Sequence, residues 1–143
     1  MHKLLSKLFG SAEEINGSNR CPTYLYRWIV LKTWWFKAYI HHFVGEDWTL
    51  DLHDHPKRFI SVGLWGSYVE QTPNDLKVYR APWMRMFPAS HIHRIGAKPG
   101  RSCWTAVIVF RASREWGFRH KGQFIGWRKY VDSEVAGRMK SCD

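Results

Sequence analysis

The chain has 143 residues, 45% hydrophobic and 16% aromatic with nine tryptophans, which suits one packed domain and excludes a disordered segment. The net charge of +10 is uneven: residues 1–79 carry nine Lys/Arg against eight Asp/Glu, while residues 80–131 carry eleven against Glu115 alone. Such a local excess attracts anions, nucleic acid among them, although a solvated basic surface is the plainer reading. Three cysteines, Cys21, Cys103 and Cys142, show no C-x-x-C spacing. No stretch of about twenty apolar residues is present to cross a bilayer, so a cytoplasmic protein without a disulfide framework or membrane partner is expected.

In chain order, Leu4, Leu5, Leu8 and Phe9 fall at helical spacing and predict a short amphipathic helix, with His2 in a disordered end. Runs rich in β-branched and aromatic residues predict strands at 24–32, 35–43, 48–53, 57–65, 67–72, 76–80, 83–87, 92–95, 103–110 and 124–130. Glycines, Pro73-Asn74, Ala81-Pro82 and Lys98-Pro99-Gly100 supply the breaks. A terminal helix over 132–140, capped by Asp132 or Ser133, completes the pattern. Ten short strands with little helix argue for one all-β domain, a sandwich or barrel. Residues 1–21 form its N-terminal extension, 22–131 the barrel and 132–143 a C-terminal tail.

His53 and His55 in Asp51-Leu52-His53-Asp54-His55-Pro56 share one face of an extended segment. Two imidazoles aimed at one point, with a third from a neighbouring strand, make a divalent-metal site. His93 in Pro88-Ala89-Ser90-His91-Ile92-His93 is the candidate third ligand, and His91, of the same parity, is its alternative. Imidazole suits Fe, Ni, Cu and Zn alike. Asp51 and Asp54 have the wrong parity to join the pair and are expected behind it or at the surface.

These segments resemble the paired motifs of the cupin superfamily, small double-stranded β-helix (jelly-roll) barrels. The first motif reads H-x-H, then Glu, then six residues and Gly. Here His53-x-His55 is followed by Phe59 in the Glu position and by Gly66, and Pro88-Ala89-Ser90-His91-Ile92-His93 follows the second motif with Ser for Gly. The resemblance implies an all-β cupin barrel with short N- and C-terminal helical segments. It also implies one divalent metal ion on His53, His55 and His93, Fe(II) first, with Zn, Ni or Mn as alternatives. Losing the motif glutamate leaves a neutral three-histidine set, as in the thiol and diketone dioxygenases of that superfamily. An oxygenase acting on a small anionic substrate is therefore the leading expectation. Dimerisation through exposed sheet edges is a further implication.

Around the metal, one of His41 and His42 must face inward, and His41 is the candidate acid or base. Arg85 shares alternation with Trp83 and Phe87 and could hold the anion, or pair with Glu70 or Glu115 as plain structure. Tyr68 is the third candidate catalytic residue, and Tyr68 or Tyr39 would serve with a histidine in a metal-independent sugar epimerase or isomerase. A third possibility is a binding module that offers the basic 80–131 region to nucleic acid. Trp48, Phe59, Trp65, Trp83 and Trp104 are candidate pocket walls.

Overall fold

Alternation of inward and outward residues builds the strands, and one break in that alternation decides what they surround. The computed structural model describes residues 1–16, 21–47, 49, 51–98 and 100–132, with side chains through Tyr130. Helix α1 (His2–Phe9) precedes strands β1 (Glu13–Ile15), β2 (Leu25–Lys32), β3 (Phe36–Phe43), β4 (Leu52–His53), β5 (Phe59–Gln71) and β6 (Leu76–Arg80). Strands β7 (Trp83–Phe87), β8 (Arg94–Gly96), β9 (Cys103–Phe110), β10 (Gly117–His120) and β11 (Gln123–Gly126) follow, then helix α2 (Trp127–Asp132). All pairings are antiparallel. One layer runs β1-β2-β3-β9 to the first half of β5, whose other side takes β7. The second half of β5 pairs with β6 and β8. A separate sheet, β11-β10-β4, joins by a bridge between His53 and His93.

Strand β5 ties the layers together. Its register with β9 shifts between Gly63 and Trp65, inserting one extra residue. Such a bulge reverses the side-chain parity beyond it. Ser61 faces inward before the bulge and Tyr68 and Glu70 after it, all three buried. Gly66, with φ 80°, completes the bend: a Cβ there would strike the carbonyl oxygen of Ser102. Leu25, Phe43, Tyr68, Ala97 and Cys103 form the apolar core.

Several expectations change. The strands expected at 57–65 and 67–72 are one strand, because the bulge bends the chain without ending it. Residues 124–130 divide into the end of β11 and most of α2. Asp132 therefore ends a helix rather than capping one, and residues 133–140 lie outside the described residues. Strands β1 and β10 were missed, being short and lacking a β-branched run. Helix α1 forms, but Leu4, Leu8 and Phe9 stay exposed. The helix docks instead through polar atoms: His2 Nε2 lies 2.7 Å from His42 Nδ1, and Trp28 Nε1 donates to Ser6 Oγ at 3.2 Å. His2 is thus ordered among Tyr26, Trp28, His42 and Trp104. Cys103 is free and buried, and Cys142 lies outside the described residues. No described helix is long and apolar enough to cross a membrane.

Candidate metal centre

His53 and His93 are cross-strand partners, each N–H donating to the other's carbonyl at 2.9 Å. This exchange places their imidazoles side by side. His55, two residues past His53, donates its N–H to the Ala89 carbonyl at 3.1 Å. One ring nitrogen from each of His53, His55 and His93 lies within 4.8 Å of the others, and the Nε2 atoms of His55 and His93 are 2.7 Å apart. Asp54, of opposite parity, turns away. Its Oδ1 accepts from the Gly117 N–H at 2.9 Å and its Oδ2 pairs with Arg114 at 2.8 Å, which anchors the start of β10 behind the histidines. Asp51 accepts from Tyr130 at 3.0 Å and also pairs with His120 at 3.0 Å.

Behind His93 stands Glu70, almost fully buried. Its Oε1 lies 2.7 Å from His93 Nδ1 and 2.8 Å from His91 Nε2, and its Oε2 lies 2.7 Å from the Arg85 guanidinium. Burial by itself would raise the Glu70 pKa, but hydrogen bonds from His91, His93 and Arg85 outweigh it and hold the group well below its ordinary value. An ionised carboxylate only accepts, so His93 Nδ1 carries the proton and Nε2 keeps its lone pair facing His55. This arrangement favours His93 over His91 as third ligand, since His91 spends Nε2 on Glu70. Glu70, His91 and His93 are themselves close enough to hold an ion. The guanidinium 2.7 Å from that carboxylate would repel one.

The three imidazoles are held neutral. Burial lowers the His53 pKa to about 4, with the opposing pull of Asp47 outweighed and His93 adding to the fall. Burial and then His53 push His55 well down, and burial lowers His93 despite Glu70. His53 Nδ1 is buried with no hydrogen-bond partner, 3.7 Å from an Asp47 oxygen. Neutral, converging nitrogens with an orphaned N–H position beside a carboxylate are what a metal-bound imidazole set requires. The residues fit a divalent ion.

The histidines open onto a cavity of about 410 Å³ whose lining is mainly apolar, with Tyr24, Phe43, Phe59, Phe87, Trp116 and Val107 among its walls. That size accommodates a drug-sized organic molecule. His41 and Tyr68 line it as expected, and so do the cations Arg27 and Lys57. Arg85 does not reach the cavity wall. It donates to Tyr68 Oη at 3.0 Å, pairs with Glu70 and covers the ring of Tyr79, which is the structural alternative. Of the candidate wall residues among the described ones, Phe59 alone lines the cavity. Trp65 is exposed, Trp83 packs on Tyr68, Trp104 stacks on His42 outside the barrel, and Trp48 lies outside the described residues. Sequence reasoning missed Asp47, Lys57 and Trp116 as cavity residues. Of the basic excess, Arg85, Arg94 and Arg114 are spent on internal partners, Arg94 on the Thr49 carbonyl.

A curled antiparallel sheet that half-encloses a histidine-bearing cavity is the cupin fold, and the chain has it. No protein-family model and no curated protein matches the sequence. Solved structures match the fold. The polyketide cyclase RemF from Streptomyces resistomycificus is 13% identical, with a TM-score of 0.63 over 92% of this chain and 93% of that one. An uncharacterised double-stranded β-helix protein from Klebsiella pneumoniae is 15% identical, with a TM-score of 0.54 over 76% and 92%. KdgF from a Halomonas species is 15% identical, with a TM-score of 0.52 over 69% and 88%. At these identities the likeness is one of fold.

Proposed function

We propose that the protein is a mononuclear metal-dependent enzyme, holding one divalent ion on His53, His55 and His93. Its substrate would be an organic molecule that is apolar along most of its body and anionic at one end. The convergence of three neutral imidazoles on one wall of an apolar cavity carries this reading. Three neutral ligands leave the ion's charge uncompensated and coordination positions open, which favours a chelating anion. Lys57 lines the same space and would attract that anion. Burial, with Lys37 and then Arg27, lowers the Lys57 pKa, so a bound anion would also relieve repulsion there. Fe(II) is the proposed ion and an oxygenase the proposed class, the bound metal supplying O₂ activation. The aromatic walls favour a planar substrate, stacked rather than solvated.

The cavity's apolar lining and the end-to-end likeness to a polyketide cyclase favour a second reading, a non-redox cyclisation of a polyketide-like substrate with Zn²⁺ as Lewis acid.

Elemental analysis of the purified protein tests the shared premise. We expect one equivalent of metal, lost in His53→Ala and His55→Ala; a wild-type protein that takes up none refutes it. Oxygen uptake by the iron-loaded protein but not the zinc-loaded one separates the two readings.

A further inference from the structure

The stretch of cavity wall on β3 and β9 carries polar atoms with nothing to bond. His41 on β3 and Thr105 on β9 are cross-strand partners, and both line the cavity. His41 Nε2 and Thr105 Oγ1 are shut off from solvent, and neither has a hydrogen-bond partner. Thr105 is 1% exposed. Valine has the same shape and suits a strand, so a lone buried hydroxyl costs stability for no structural return. The adjoining histidine shows the contrast: His42 faces out of the barrel and has its Nδ1 2.7 Å from His2 Nε2. Unsatisfied buried groups facing a cavity call for an absent water or ligand.

We infer that His41 and Thr105 form a hydrogen-bonding subsite for an uncharged hydroxyl or carbonyl oxygen on a ring-containing ligand. A neutral imidazole and a threonine hydroxyl together offer donors and acceptors, which match a hydroxyl group. Burial and the Arg27 charge lower the His41 pKa to about 3, so the pair presents no cation to an anion. Arg27, opposite His41 in register, is itself paired with Glu13 at 2.7 Å. Along β3 the His41 ring lies 5.7 Å from that of Tyr39 and 5.9 Å from that of Phe43. An oxygen at this point therefore has aromatic rings on either side of its histidine partner, which suits a group carried on an aromatic ring. The inference rests on the cavity as the substrate site and not on the metal.

The probes are 2-naphthol and naphthalene, titrated calorimetrically into chelator-treated wild type, Thr105→Val and His55→Ala. Wild type should bind the naphthol about tenfold more tightly than the hydrocarbon, the worth of one good hydrogen bond. Thr105→Val should lose most of that preference while keeping its naphthalene affinity and melting no lower than wild type. His55→Ala, which removes a metal ligand, should keep the preference. Equal affinities in wild type, no binding of either probe, or a preference unchanged in Thr105→Val would each overturn the inference; the last would mean that water alone satisfies these atoms. Failure of metal uptake with the preference intact would refute only the metal reading.

Discussion

Replacing Glu70 by glutamine tests how the site is held. The carboxylate serves three partners at 2.7–2.8 Å: His93, His91 and Arg85. An amide has one accepting oxygen, so its NH₂ must confront either Arg85 or both imidazoles. Removing one partner of a fully buried pair costs about 3–5 kcal/mol. The Arg85 side chain is 22% exposed, so water recovers part of that, leaving about 2–4 kcal/mol. At about 2–4 °C per kcal/mol for a chain of this size, Glu70→Gln should melt about 5–15 °C lower. If the NH₂ faces His93, its imidazole must move the proton to Nε2, the nitrogen proposed to bind metal, and metal affinity should fall about 10–100-fold. Circular-dichroism melts and metal titration read the two effects separately. The double variant Glu70→Gln/Arg85→Met, whose amide oxygen is free to face the histidines, should recover most of the loss in stability. A single variant that melts within about 1 °C of wild type, with unchanged metal affinity, would refute this account of the Glu70 cluster.

Acid should destabilise the fold in two windows. His41 and His53 titrate near 6.5 when unfolded and near 3 and 4 when folded; below pH 6.5 the unfolded chain binds more protons, so each costs about 2 kcal/mol by pH 5. The stabilisation from Glu70, whose folded pKa is depressed, is present above its ordinary value of 4.5 and lost below it. Melting temperatures unchanged from pH 7 to pH 5 would contradict the first window. Gly66→Ala should cost about 2–4 kcal/mol, because its positive φ and the Ser102 carbonyl both oppose a Cβ. Gly100→Ala, at φ 72° with open space around it, should cost only about 1 kcal/mol; equal losses in denaturant titrations would remove the steric argument.

What can be read from the chain and what needs the fold divide along the reach of the interactions. Period-two alternation is local, so β2, β3, β7 and β9 were legible nearly to the residue. The H-x-H spacing likewise put His53 and His55 on one face before any pairing was known. Choosing between His91 and His93 was not local. It depends on Glu70, twenty-odd residues away, which reaches His93 only because the bulge after Gly63 reverses parity along β5. Simple alternation from Phe59 would have sent Glu70 outward. Arg85 shows the same limit: its parity was read correctly, but its partner set decides that it braces Glu70 and Tyr68 rather than lining the cavity.

The sequence by itself determined the all-β class, the two-histidine pair and the absence of the motif glutamate at Phe59. Tertiary structure decided the third histidine's tautomer, the carboxylate behind it, and the aromatic cavity into which the site opens. A strand's periodicity is written in its own backbone, whereas a buried charge is placed by whichever distant groups can satisfy it.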